Sequence, residues 1–130
     1  MRLLIDTHLA IWVVTGDERL SARACELIED VDNSVFVSAA SIWEIAIKHR
    51  LARNPEDMPI SGPDAIRWLD AAGFQILAVS AAHAAAIEEL ESLRGDPFDL
   101  LLLAQARSEP MRLVTHDARL AAYDSSIIRV

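Results

Sequence analysis

The sequence has little of several features on which particular folds and cellular locations depend. It contains one cysteine, Cys25, so no internal disulfide is possible, which suits a reducing compartment. No apolar run approaches the roughly 18 residues that a membrane-spanning helix needs. Asp6 and His8 interrupt the apolar N-terminus, and no small-residue cleavage site follows, so a signal peptide is not expected. A soluble cytoplasmic protein is the expectation that follows.

Basic residues are also scarce. The chain has 12 Lys and Arg against 20 Asp and Glu, a net charge of −8. A protein that binds nucleic acid needs local Lys and Arg for the phosphates, so such a role here would require bound cations and a local basic patch. The acidity fits metal binding, and it also fits solubility alone. With 52% hydrophobic residues, the 130-residue chain is expected to fold as one globular domain spanning residues 1–130.

Short apolar runs alternate with helical patterns along the whole chain, without repeats or low-complexity segments. Strands are predicted at 2–5, 34–37, 74–79, 111–115 and 127–130, and helices at 9–14, 20–29, 38–51, 63–72, 81–93, 97–107 and 119–123. Continuous apolar strands suit a parallel sheet that is buried on both faces. The pattern therefore predicts an α/β fold in three layers, with a mostly parallel sheet of four to five strands between helices. In helix 63–72, Ile66 and Leu69 are expected to face inward.

Two acids begin the most apolar helix of the chain. In the stretch Gly95-Asp96-Pro97-Phe98-Asp99, Pro97 suits the first helical position. Asp96 is then the N-cap and Asp99 the third helical residue, so both carboxylates lie at the positive end of one helix. Taken alone, this arrangement is that of an ordinary helix start.

Two further acids follow predicted strands. Asp6 ends the first strand, and Asp117 lies two residues beyond the fourth. Parallel strands place their carboxyl ends at the same edge of the sheet, so these two acids are expected to be neighbours. Each of them, considered singly, is also explained as a helix cap after a strand.

Glu44 lies inside the apolar segment Ile42–Ile47, where a helix would be largely buried. A buried carboxylate is costly unless it is paired or binds a metal. Two local explanations remain open: a capping box with Ser41, or an ion pair with Lys48 at the i,i+4 spacing.

Acids gathered at one sheet edge repel one another unless a cation is present. Mg²⁺ and Mn²⁺ prefer oxygen ligands, and no paired Cys and His spacing indicates zinc. The four histidines, His8, His49, His83 and His116, are scattered along the chain. An acidic site with such a cation can activate water for displacement at phosphorus.

The chain resembles the PIN-domain ribonucleases of the VapC-like group, the toxins of bacterial toxin–antitoxin modules. The matching pieces are Leu4-Ile5-Asp6-Thr7-His8, the segment Val37–Lys48, Asp96-Pro97-Phe98-Asp99 with its tail Leu103-Ala104-Gln105-Ala106, and Val114-Thr115-His116-Asp117. Together they span nearly the whole chain in the order of the family. Two differences are Arg94-Gly95, where relatives often have His-Arg, and Leu100, where they often have Arg.

The resemblance implies a metal-dependent endoribonuclease with a PIN-like fold that uses Mg²⁺ or Mn²⁺ and leaves 5′-phosphate products. It implies that Asp6, Glu44, Asp99 and Asp117 are catalytic metal-binding acids, with Asp96 as a fifth ligand and Thr7 and Thr115 as hydroxyls that orient them. It also implies a co-encoded antitoxin and a homodimer as partners. Candidates for RNA contact are Lys48, Arg50, Arg53 and Arg94.

Two other functions are compatible with the sequence. One is a PIN fold without turnover that binds RNA or a protein. The other is a different acidic-pocket α/β protein, such as a receiver domain or a haloacid-type phosphatase. A receiver needs an Asp at the end of a central strand, where this chain has Ser38. The phosphatase pattern needs a second Asp two residues after the first, where it has His8.

Overall fold

The computed structural model describes all residues from Met1 to Val130 and is built on one parallel sheet. Its strands are β1 (Arg2–Ile5), β2 (Ser34–Ser38), β3 (Gln75–Leu77), β4 (Arg112–Thr115) and β5 (Ile128–Arg129), in the order β3-β2-β1-β4-β5. All four strand pairs are parallel. The central strand β1 pairs Ile5 with Val37 of β2 and with Val114 of β4. The carboxyl ends of the three middle strands therefore lie side by side.

Each face of the sheet carries its own hydrophobic core. Leu3 and Ile5 of β1 belong to one core, whereas Leu4 between them belongs to the other, as the two-residue period of a strand requires. All three side chains have no exposed surface. The continuous apolar pattern of β1 thus corresponds to a strand covered on both sides, which confirms the predicted α/β fold with three layers.

Seven helices flank the sheet. They are α1 (Thr7–Thr15), α2 (Ala22–Glu29), α3 (Ala39–Leu51), α4 (Gly62–Ala71), α5 (Ala81–Ala85), α6 (Pro97–Ser108) and α7 (Ala118–Ala121), and two short 3₁₀ helices lie at Pro55–Asp57 and Ala86–Glu89. None of the helices is both long enough and apolar enough to cross a membrane. Every strand predicted from the sequence is present, with ends displaced by one or two residues.

Two sequence-based details are wrong. The helix predicted over 81–93 ends early, because the chain tightens into the 3₁₀ helix at Ala86–Glu89 and turns extended at Leu90, whose side chain enters the core beside α6. Ile66 is 49% exposed rather than inward-facing. The inner face of α4 is instead formed by Gly62, Ala65 and Leu69, because the close approach of Gly62 to Ala46 of α3 sets the rotation of the helix.

A buried polar chain links β2, α5 and α6. Ser38 Oγ donates to Gln105 Oε1 at 2.5 Å, and Gln105 Nε2 donates to Ala78 O and to His83 Nδ1, each at 3.3 Å. His83 Nδ1 also accepts from Ser80 N, so the ring proton is on Nε2, which donates to Glu109 at 2.7 Å. Gln105 and Ser38 have no exposed surface, so their polar atoms depend on partners within the protein.

Replacing Gln105 by Leu is expected to lower the free energy of unfolding by about 1–3 kcal/mol, because it removes the acceptor of the buried Ser38 hydroxyl proton. Urea denaturation monitored by circular dichroism measures the change. The matched control is Gln75→Leu on the exposed edge strand β3, which should change stability by less than about 0.5 kcal/mol. Equal losses in the two variants would contradict the assigned role of the polar chain.

Candidate metal centre at the carboxyl edge of the sheet

Three of the predicted site acids are the N-caps of helices. Asp6 Oδ1 accepts from Leu9 N at 2.9 Å, Asp96 Oδ1 from Phe98 N at 2.8 Å, and Asp117 Oδ1 from Arg119 N at 2.7 Å. Capping does not exclude a second role, because each carboxylate has two oxygens. The Oδ2 atoms of Asp96 and Asp117 make no hydrogen bond to the protein.

Asp6 is buried and held by the neighbouring strand. Thr115, the last residue of β4, donates its hydroxyl proton to Asp6 Oδ2, and its oxygen accepts from Asp117 N at 3.0 Å. Burial raises the pKa of Asp6, and the hydrogen bonds from Thr115 and Leu9 oppose that rise. Thr115 therefore connects two of the predicted site acids through one side chain.

Glu44 is also buried, with 4% of its surface exposed. Lys48 Nζ donates to Oε2 at 2.5 Å, and Thr7 Oγ1 donates to Oε1 at 2.8 Å. Because the Thr7 hydroxyl has a single proton, its 2.9 Å contact with Ser41 Oγ is one in which Ser41 donates. The i,i+4 ion pair is thus present. A capping box at Ser41 is excluded, because α3 begins at Ala39 and its N-cap is Ser38.

Asp99 is the acid whose pKa is raised by burial and by the other four acids. It lies half-buried in the first turn of α6. Its pKa is raised from 3.8 to about 7, first by burial and then by repulsion from Asp96, Asp6, Glu44 and Asp117. The carboxylates that the sequence placed at separate element ends therefore lie within electrostatic range of one side chain.

The acids open onto two depressions. A cleft of about 180 Å³ is lined by Arg94, Gly95, Asp96, Asp99, Leu100, Asp117, Arg119 and Leu120. A groove of about 470 Å³ lies on the other side of Glu44 and includes Thr7, His8, Trp12, Arg19, Lys48 and Asp57. We refer to the first as the acidic cleft. Its position at the carboxyl ends of parallel strands is where open α/β sheets bind ligands.

The four basic residues predicted to contact RNA do not lie together in the structure. Arg94 lines the acidic cleft, whereas Lys48 lines the groove and is paired with Glu44. Arg50 and Arg53 are exposed and line neither depression. Arg119, two residues beyond Asp117, also lines the cleft. Sequence reasoning missed Arg119, although its spacing from a predicted site acid was a signal that could have indicated it.

The donor chemistry of this region fits a hard divalent cation, because uncompensated carboxylate oxygens are the ligands that Mg²⁺ and Mn²⁺ prefer. In their present rotamers, however, no three His, Cys, Asp or Glu side chains are grouped closely enough to hold one ion together. The carboxylates of Asp6 and Glu44 are hydrogen-bonded to Thr115, Thr7 and Lys48, whereas Asp96 and Asp117 each keep one oxygen without a protein partner.

Comparison with known proteins finds similarity over nearly the whole chain. The sequence model of the PIN domain family matches residues 3–125. Ribonuclease VapC22 of Mycobacterium tuberculosis is 32% identical over 124 residues, which cover 93% of this chain and 91% of that protein.

Solved structures share the fold at lower identity. One is a member of the VapBC family of toxin–antitoxin systems, VapBC-5 from M. tuberculosis, with a TM-score of 0.65 and 23% identity over 99% of this chain and 98% of that one. Another is M. tuberculosis VapC20, described as a toxin that cleaves the sarcin–ricin loop, with a TM-score of 0.60 and 19% identity over 98% of each chain.

The raised pKa of Asp99 predicts a pH dependence of stability in the metal-free protein. Between pH 4 and about 7 the native carboxyl retains a proton that the unfolded chain, with the ordinary pKa of 3.8, releases, so stability falls as the pH rises. Asp99→Asn removes this loss of stability. At pH 8 the free energy of unfolding of the variant should exceed that of the parent by about 1–2 kcal/mol, a value that already allows for solvent screening at this half-exposed site.

Urea denaturation in EDTA at pH 5 and pH 8 measures this effect. The exposed Asp70→Asn on α4 is the matched control and should follow the parent protein at both values. If Asp99→Asn gained nothing at pH 8, the acids would not be crowded around Asp99.

Proposed function

The chain belongs to the PIN domain family, and on that premise we propose that it is a metal-dependent endoribonuclease and the toxin of a toxin–antitoxin pair. The observation that carries the proposal is the acidic cleft: Asp96, Asp99 and Asp117 line it, and Thr115 links Asp117 to the buried Asp6. A nuclease acting through a divalent cation needs such a set of oxygen ligands, whereas helix capping accounts for Asp6, Asp96 and Asp117 but gives no reason for Asp99 beside them.

The five acids are the residues that would hold Mg²⁺ or Mn²⁺ in this proposal. Asp96 and Asp117 each have one oxygen free of protein partners, and the pKa of Asp99 is raised to about 7. The bound cation supplies activation of water and stabilisation of the negative charge that develops on the phosphate.

The other residues of the site orient the acids. Thr115 holds the buried Asp6 from the neighbouring strand, and Thr7 holds Glu44 from the first turn of α1. Lys48 supplies the opposite charge that the buried Glu44 carboxylate pairs with. These contacts fix carboxylates that would otherwise move apart, which is the role of partners beyond the ligands of a metal site.

The proposal includes partners. RNA is the substrate, as the ribonuclease VapC22 and the sarcin–ricin-cleaving VapC20 suggest by likeness. A cognate antitoxin is expected because the VapBC-5 neighbour belongs to a toxin–antitoxin system. An antitoxin side chain such as Arg would suit an acidic cleft, since a guanidinium pairs with carboxylates through two hydrogen bonds. The site of action is the cytoplasm.

A homodimer is part of the same proposal. Trp43, Ile47 and Leu51 lie at i, i+4 and i+8 on α3, and they are 59%, 36% and 74% exposed. Three large apolar side chains on one helix face form a stripe of the kind that protein interfaces cover. We name these three residues the α3 stripe.

A PIN fold that binds RNA without cutting it is the alternative. The same acids count against it, because a pure binder gains nothing from carboxylates that raise the pKa of Asp99 and repel phosphate. Binding of RNA without turnover in saturating Mn²⁺ would favour it.

Asp6→Asn is expected to reduce cleavage of a structured RNA mixture at least 100-fold in Mn²⁺, because it removes a buried site charge while the cap to Leu9 and the contact with Thr115 can persist. Gel electrophoresis of the products measures the rate, with EDTA as the metal-free reference. Asp70→Asn on the exposed face of α4 controls for the loss of one acid. Undiminished cleavage by Asp6→Asn would overturn the assignment of the site.

Leu51→Glu is expected to shift the protein from dimer to monomer, because it places a charge in the α3 stripe. Multi-angle light scattering after size exclusion gives the mass, against 14.3 kDa for one chain. Val31→Glu is the control, since Val31 is 96% exposed and lies outside the stripe. Two results would show that the α3 stripe is not a dimer interface: a monomeric parent protein, or a Leu51→Glu variant that dimerises as strongly as the parent.

A further inference from the structure

Two arginines line the acidic cleft and have no ionic partner. Arg94 lies before α6, and Arg119 lies in the first turn of α7. Both are exposed, and neither forms an ion pair, although three carboxylates line the same cleft. Arg19, Arg67 and Arg107, by contrast, are all paired with acids.

The backbone on both sides of the cleft is fixed. Gly95 adopts a φ of +119°, a conformation that only glycine takes readily, and so turns the chain between Arg94 and the cap residue Asp96. On the other wall, the backbone N–H of Arg119 donates to Asp117 Oδ1 at 2.7 Å. Each arginine therefore stands two residues from an acid of the proposed metal site.

The two walls are also joined to each other. Tyr123, just beyond α7, accepts at Oη from Ser92 N at 2.7 Å and donates to Ser92 O. Arg107 of α6 pairs with Glu91 at 3.1 Å and with Asp124 at 2.7 Å. The segment that leads to Arg94 is thus bound to the segment that follows Arg119, so the fold holds together the two backbone segments that carry the arginines.

We propose that Arg119, together with Arg94, binds the backbone phosphates of RNA on the two sides of the acidic cleft. The inference rests on the proposed ribonuclease function. It explains how a protein of net charge −8 could bind RNA, which is itself negatively charged. A guanidinium offers several donors to a phosphate and stays charged at all physiological pH values. Contacts of this kind position the RNA backbone and do not select its sequence.

The first test is binding of a fluorescein-labelled single-stranded RNA of mixed sequence in Mg²⁺, followed by anisotropy. It uses Asp6→Asn as the background, so that RNA is not consumed. Adding Arg119→Ala should weaken binding several-fold and reduce the slope of log K against log[salt] by about 0.7, the loss of one phosphate contact on a single strand. Adding Arg94→Ala as well should weaken binding by a similar further factor and double the reduction in slope.

Arg129→Ala is the matched control. Arg129 is exposed and makes no ion pair, and it lies on the edge strand β5 outside the acidic cleft. It should leave both affinity and salt slope unchanged. Equal effects of Arg119→Ala and Arg129→Ala would overturn the proposal, because only the net charge of the chain would then matter.

The second test is cleavage in the otherwise unaltered protein. Arg119→Ala should raise the KM for RNA several-fold, and Arg119→Lys should recover part of that loss. Thermal stability and Mn²⁺ affinity should match the parent, since Arg119 contacts the acids only through its backbone. An unchanged KM would refute the contact even if the protein is a ribonuclease.

The two tests separate the possible failures. If the parent protein cleaves no RNA but Arg119→Ala still weakens binding and lowers the salt slope, the phosphate contact is supported and the nuclease function is refuted. If the parent protein cleaves RNA and Arg119→Ala changes neither binding nor KM, the nuclease function is supported and the phosphate contact is refuted.

Discussion

Repulsion among carboxylates at the carboxyl edge of a parallel sheet is the constraint on which the rest of this site depends. Asp99 shows its effect, since burial first and then repulsion from four other acids raise its pKa to about 7. Such crowding is unfavourable in the metal-free protein, and a fold retains it at the expense of stability. A divalent cation relieves the repulsion, so the same arrangement that weakens the metal-free protein favours binding of the ion.

The fold restrains these charges with the elements that any α/β protein contains. Helix N-termini take one oxygen of Asp6, Asp96 and Asp117, and strand and helix hydroxyls hold Asp6 and Glu44. The helix-cap and functional interpretations are therefore compatible. A cap fixes one oxygen of a carboxylate and leaves the second for another partner.

Local rules and strand direction predicted much of this structure from sequence. Apolar runs located all five strands, and Pro97 fixed Asp96 as a cap and Asp99 as the third helical residue. Sequence could not give the rotation of α4, which depends on the contact of Gly62 with Ala46, or the early end of α5, which depends on burial of Leu90. It also missed Arg119, because the walls of a cleft are defined by tertiary contacts between α6 and α7.

The central claim is that the five acids form one cation site, and diffraction from crystals soaked in Mn²⁺ tests it most directly. The account predicts an anomalous peak in the acidic cleft within coordinating distance of Asp99 and at least two of Asp6, Glu44, Asp96 and Asp117. This requires some carboxylates to leave their present protein partners. A cleft without a peak at saturating Mn²⁺, with Asp6 and Glu44 still bound to Thr115 and Thr7, would contradict the account.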